Sequence, residues 1–315
     1  MTKPTILVAT WGDGLFAVTG DERTQEIANR PVRGLAPDGR GSALAIVGRH
    51  SLRRRVPSGE WATVATSEFE LSCCMAVRDA IYVGTDDARL LRLSPGGGVL
   101  DLIDGFDHVA GRDAWFAGSA IVDGQRIGPP LGIRSVAANS DGTILFANVH
   151  VGGIPRSTDG GRTWQPTIDI NSDVHEVRAH QVDPDIVVAA SAIGLCVSHD
   201  AGATWTIERD SLHASYCSAV AFSGDDILVS ASTGHFASQG RIYRRPIRPA
   251  GDTVAVGDGL PTWLNGIADT GCIATNGSMI VVVDRAGTLY LSTEFGLDWS
   301  RSSSELPAPS SVLIC

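Results

Sequence analysis

Four histidines, His150, His175, His213 and His235, carry the sharpest chemical signal in this 315-residue sequence. Neutral imidazoles are ligands for zinc and other borderline divalent ions, which acidify water or polarise a carbonyl when a coordination position stays open. No local spacing such as H-x-x-x-H joins them, so a shared site needs a fold that gathers segments up to 85 residues apart. Glu176, Asp269 and Asp13 form a second constellation. Two carboxylates facing each other across a cleft act as acid and base, or as acid and nucleophile, in glycoside cleavage when one lies in a dry setting. Cys73 and Cys217 are thiols that His175 or His213 would have to activate. Their apolar neighbours favour the reading of small buried hydrophobes. Gly96-Gly97-Gly98 lacks the Lys-Ser/Thr that follows a phosphate-binding loop and reads as a hairpin turn.

The elements that would position these groups come from a repeat. The pattern S-x-[D/E]-x-G-x-x-W occurs at Ser157 to Trp164, Ser198 to Trp205 and Ser292 to Trp299. Asp159, Asp200 or Glu294 with the serine bonds the turn backbone, Gly161, Gly202 or Gly296 accepts a positive φ, and the tryptophan packs beside the sheet. Trp164 and Trp205 are 41 residues apart, Trp205 and Trp299 are 94 apart. A period near 40 to 50 between turn-bounded strands predicts an all-β propeller. Dividing the chain at its strand-like runs gives seven blades, or six if the weakly marked second or third unit is misdivided. The N-terminal runs at 5–10, 14–18 and 25–28 lack an inner strand. Residues 310–315 are the apolar strand suited to supply it and to remove the open edge. The whole chain is expected to form one domain, with an insertion at about 105–131 and an extra hairpin from 114–117 and 120–122.

The motif resembles the Asp box of the BNR-repeat, sialidase-like β-propellers. That resemblance implies the propeller architecture, with the boxed turns on one face and the channel mouth on the other. In this register five of the eight histidines fall at the mouth, with Trp11, Arg33, Arg134, Arg178 and Tyr216. Resemblance to sialidases implies three arginines gripping a substrate carboxylate, here Arg33, Arg134 and Arg178, and a tyrosine nucleophile paired with a glutamate, here Tyr216 and Glu176. The Arg-Ile-Pro element near the sialidase N-terminus is missing. Gly153-Ile-Pro-Arg156 stands elsewhere.

Composition narrows the partners. A net charge of -10 repels phosphate backbones and anionic membranes, and Arg53-Arg54-Arg55 and Arg244-Arg245 are short solvated strand patches. Neither a nucleic acid nor a membrane is therefore expected as partner. No apolar run approaches the ~18–20 residues that cross a bilayer. The opening Met1-Thr-Lys-Pro-Thr5 has no charged or apolar leader pattern, and the six scattered cysteines suit a reducing compartment, so a cytoplasmic location is expected.

The leading functional expectation is an enzyme, hydrolase or lyase, acting on a small molecule at the mouth. Glu176, Tyr216 and Asp269 are its catalytic candidates, and Arg33, Arg134, Arg178 and Trp11 hold the substrate. One divalent metal, zinc or another transition metal, is expected on His150, His175, His235 and His213. Sialidase-like glycoside cleavage and a non-catalytic binding or assembly scaffold are the alternatives, since propellers host all three.

Overall fold

The computed structural model describes residues 3–116, 132–248, 250–257, 259–302 and 305–315, with 121–122 and 125–126 described by backbone alone. Seven antiparallel sheets of four or five strands form the blades. Their inner strands are Pro309–Ile314, Val32–Pro37, Leu71–Val77, Ile133–Ala138, Val174–Ala179, Tyr216–Ser223 and Ile273–Asn276. Each of these touches the next, and the seventh touches the first, so the ring is closed. The first blade is completed by the C-terminal strand, which pairs antiparallel with Ile6–Thr10 from Ile6↔Ile314 to Thr10↔Pro309.

The sequence builds blades because its second strands are apolar on both faces. Ala43–Val47 and Val187–Ser191 are buried along their whole lengths. A sheet whose two faces are both apolar needs a sheet on either side, and a ring of blades provides that. Among the described residues the core falls into seven clusters, one at each blade interface. Polar side chains of the inner strands stitch the same interfaces. Ser72 Oγ donates to Ile133 O at 2.5 Å, Val177 N–H to Ser135 Oγ at 2.9 Å, Val220 N–H to Glu176 Oε2 at 2.9 Å and Ser218 Oγ to Ala268 O at 2.7 Å.

The repeated turns join third to fourth strands. Ser157 Oγ donates to Asp159 and accepts from Gly161 N–H, while Asp159 accepts from Arg162 N–H, Thr163 N–H and Thr163 Oγ1. Those donors hold the Asp159 carboxyl down at about 2. The turn at Ser198 repeats this pattern with Asp200. Gly202 has φ +77°, and a Cβ there would lie 2.3 Å from the Phe146 ring. In the third turn Asp298, not Glu294, does the bonding: it accepts from Ser292 Oγ, Thr293 N–H and Glu294 N–H. Trp164 and Trp299 are buried and close back on the carbonyls of Gly161 and Gly296, whereas Trp205 is half-buried and donates to Thr167.

The insertion departs from expectation. Ala114 ends a short helical turn, Arg112–Ala114, instead of starting a strand, because Trp115 is buried against Phe106 and under the Arg112 guanidinium. Phe106 stacks edge-on to Trp164 at 5.1 Å, so this segment extends the interface of blades 3 and 4. Ile121–Val122 pairs with Gln125–Arg126, while residues 117–120 of the expected hairpin lie outside the described residues.

Candidate functional site

A cavity of about 590 Å³ opens at the mouth of the channel. Trp11, Arg33, Arg134, His150, Glu176, Arg178, Tyr216, His235 and Asp269 all line it, and no residue of 104–116 does. Most of the side chains picked from the sequence are thus brought to one space. His213 and Asp13 are not, and His175 lies buried behind the lining, beside Asp173 and Tyr216. His213 Nδ1 faces Tyr243 Oη at 2.9 Å with its ring against Trp263, and Asp13 sits on an exposed loop.

The way the inner strands begin explains the convergence. In six of them one extra residue breaks the ladder near the mouth, a β-bulge that redirects a side chain. The additional residue is Ser310 between Pro309 and Ser311, Ser72 between Leu71 and Cys73, Arg134 between Ile133 and Ser135, His175 between Val174 and Glu176, and Ser218 between Cys217 and Ala219. In blade 2 Gly34 and Leu35 together face a single residue.

Three charged groupings occupy the cavity. Arg33 pairs with Asp86 at 2.7 Å. Asp269 is approached by Arg134 at 3.5 Å, by Arg285 at 3.8 Å and by His235 at 3.9 Å, and Arg134 also donates to Thr270 Oγ1. His235 is thereby held beside Arg285 and Phe236, away from the other histidines expected to share a metal with it. Burial and the neighbouring guanidiniums keep its imidazole below the usual histidine range, against the pull of Asp269.

Glu176 is fully buried and both its oxygens are engaged, one by Arg178 and one by Val220 N–H. That arrangement corrects its expected role as base: it ties two blades together and carries Arg178 toward the cavity. Tyr216 packs against His175 with the ring centroids 4.6 Å apart and the planes tilted by 42°, and burial pushes its phenol up to about 12. At neutral pH it is therefore a hydrogen-bond donor. Cys73 and Cys217 are buried, with burial raising the Cys73 thiol to about 11 and the Cys217 thiol further, so neither offers a thiolate.

The third grouping is His150, Asp173 and His175, whose ligand atoms lie within 4.8 Å of one another. His150 Nε2 is 3.2 Å and His175 Nε2 3.7 Å from Asp173 Oδ1. Burial holds the His150 imidazole below its ordinary range. Burial alone would raise the Asp173 carboxyl, but the two histidines outweigh it and hold it well below the carboxylate range. Sequence reasoning missed Asp173. The one available signal was its place directly before Val174-His175 on a connection into an inner strand, where it takes the left-handed conformation at φ 46°, a conformation that Asp tolerates better than most residues.

No protein-family model matches the sequence. No curated protein matches it either. Solved structures do resemble it in fold. A GH74 xyloglucanase from Xanthomonas campestris superposes with TM-score 0.56 at 16% identity, over 95% of this chain and 46% of that one. The WD40 propeller domain of Doa1 superposes with TM-score 0.60 at 11% identity, over 96% and 88%. YCF48 bound to a D1 peptide gives 0.55 at 13% identity, over 86% and 82%. This chain spans less than half of that xyloglucanase, and at such identities the likeness is one of propeller fold.

Proposed function

We propose that this chain is an enzyme, a hydrolase or lyase, whose substrate is a small molecule with an anionic group and an apolar or planar part. The observation that carries this reading is the mouth cavity itself, in which polar groups of several blades converge and no insertion residue among those described intrudes. Trp11 and Phe236 line the same cavity yet are 55% and 85% exposed, a poor arrangement for core residues and a suitable one for stacking on a ligand. Arg134, with Arg285 beside it and Arg33 and Arg178 further round, would hold the anionic group. Tyr216 would donate a proton to a leaving group or developing oxyanion, and Asp269 would accept one. The negative net charge supports a free small molecule in place of a nucleic acid or an anionic membrane surface. We also read the turns at Ser157, Ser198 and Ser292 as Asp boxes of BNR-type repeats, on the strength of their shared serine, glycine and carboxylate bonding.

Calorimetric melting with a panel of small carboxylates, phosphate monoesters and sugar acids tests the reading. A ligand at a hundred times its dissociation constant stabilises the folded chain by about 2.7 kcal/mol, several degrees of melting temperature. The gain should vanish in Arg134→Ala and shrink in Trp11→Ala. If no compound shifts the wild-type melt at millimolar concentration, the enzyme reading falls. The scaffold reading, in which the mouth or rim holds a peptide as a propeller such as YCF48 does, then replaces it.

A further inference from the structure

We infer that His150, Asp173 and His175 bind one divalent transition-metal ion at the inner edge of the mouth cavity, with its open positions toward Tyr216 and the substrate space. The argument starts from His175. It is 1% exposed and sits at the bulge of the blade 5 inner strand. Its Nδ1 lies 2.6 Å from the Cys217 carbonyl of the next blade, and since a carbonyl only accepts, Nδ1 carries the proton. Ser72 and Ser218 occupy the same position in blades 3 and 6 and make the same bond to a neighbouring carbonyl. A serine would therefore serve the ring equally well. The imidazole differs in having a second nitrogen, and Nε2 is buried without a hydrogen-bond partner.

What Nε2 faces decides the matter. With the proton on Nδ1, Nε2 presents a lone pair toward Asp173 Oδ1 at 3.7 Å, and that oxygen is itself buried without a hydrogen bond. Two acceptors pointed at each other in a dry setting cost several kcal/mol unless a positive charge lies between them. A second imidazole, His150, reaches the same oxygen at 3.2 Å, which makes a cation with three ligands a better fit than one proton shared by a pair. Ligand bonds of ~2.0–2.2 Å to zinc place neighbouring donor atoms about 3–3.5 Å apart. The observed separations of 3.2 and 3.7 Å need only small side-chain shifts to meet that. Two imidazoles and one carboxylate suit zinc, manganese, cobalt, nickel or ferrous iron in preference to magnesium or calcium. The Cys217 carbonyl supplies the outer acceptor that fixes a metal-bound histidine.

Bound there, the ion adds positive charge beside Arg134 and offers a Lewis acid to an oxygen of the substrate or to water. Its part in turnover rests on the enzyme reading above. Its presence does not, because uptake is measured with no substrate at all. The untagged full-length chain, stripped with a chelator, is titrated calorimetrically with zinc and with manganese, and with cobalt followed by visible absorption. One ion per chain is expected, with a cobalt spectrum of nitrogen and oxygen ligation. Asp173→Asn, nearly isosteric and on a half-buried loop residue, should weaken uptake by about tenfold or more, as should His150→Gln. His213→Ala, remote from the cluster, should titrate as wild type. His175→Ala removes a buried ring, so it is scored only if its circular dichroism matches wild type. The inference is overturned if the wild-type chain takes up no ion, or if Asp173→Asn and wild type bind metal alike. Stoichiometric uptake with no response to any small-molecule panel retains the metal site and removes the enzyme reading.

Discussion

Closure of the ring by the last strand makes the largest stability claim. Val312 and Ile314 are 4% and 6% exposed and belong to the core between blades 7 and 1, while Leu313 packs on the other side toward blade 2. Burying each of the two aliphatics is worth about 1.5–3 kcal/mol, so removing the strand costs roughly 4–7 kcal/mol once part of Leu313 is added. Ser311 Oγ accepting from Leu35 N–H and Ser310 Oγ donating to Val32 O are lost as well. Whole-domain stabilities are about 5–15 kcal/mol, so a chain ending at Ala308 should be largely unfolded or melt far below wild type. A milder variant keeps the test quantitative. Ile314→Ala should cost about 2–5 kcal/mol, which at about 2–4 °C per kcal/mol lowers the melting temperature by some 4–20 °C. Cys315→Ser, at an exposed terminal residue, should change it little. Melting is followed by circular dichroism with calorimetry as a check. An Ile314→Ala protein melting within about 2 °C of wild type would show that the seam contributes little and that the argument from burial is wrong.

The remaining predictions use other parts of the ring. Trp164→Ala should cost about 3–5 kcal/mol because the ring is buried against Phe106, and Trp205→Ala distinctly less because that ring is half-buried; equal losses by urea unfolding would contradict this. Asp159 and Asp200 are both held at about 2, below the ordinary 3.8, so each stabilises the fold fully above that ordinary value and ceases to as pH falls toward 2. Urea midpoints at pH 5 and pH 2.5 should differ less in an Asp159→Asn, Asp200→Asn double variant than in wild type, and parallel pH dependences would remove the turns from the acid response. Glu176→Ala leaves Val220 N–H without its acceptor and should cost about 1–3 kcal/mol of stability; a variant as stable as wild type that binds no ligand would return Glu176 to a direct role in the site.

The architecture was legible because its signals are local. A serine, a glycine and a tryptophan at fixed offsets describe a turn completely, and each of the three turns is built from those residues. The missing inner strand of blade 1 could be inferred because an unpaired edge is costly wherever it lies in sequence. Where the signal was not local, the reading slipped. Glu294 fits the motif, but Asp298 is a shorter carboxylate two residues beyond the glycine and bonds the Thr293 and Glu294 amides at the start of the turn, where Asp159 bonds those at its end. Loop order placed His213 and His235 at the correct end of the ring, yet said nothing of direction: Tyr243 captures one and Asp269 with Arg285 holds the other.

What no pattern of residue types displays is the bulge. An extra residue in a strand leaves the hydrophobic alternation looking slightly irregular, and in strands buried on both faces there is little alternation to disturb. The six bulges nevertheless help set which side chains reach the mouth. In blades 1, 2, 3 and 6 that position holds Ser310, Gly34, Ser72 and Ser218, which let the strands approach or bond a neighbouring carbonyl. In blades 4 and 5 it holds Arg134, which reaches Asp269 and Thr270, and His175, which makes the carbonyl bond through Nδ1 and keeps a second nitrogen beside Asp173. The chemistry is thus confined to one sector by a choice of two residues at a repeated structural position, and the start of the blade 6 inner strand supplies Tyr216, and neighbouring loops Asp173 and Asp269, to that same sector. Exchanging the two, Arg134→Ser with His175→Ser, should then leave a closed propeller that melts close to wild type but has lost both ligand and metal responses, because serine reproduces the interblade bond and nothing else. Loss of folding in that double variant would mean that the two side chains hold the ring together and that the mouth owes its shape to them.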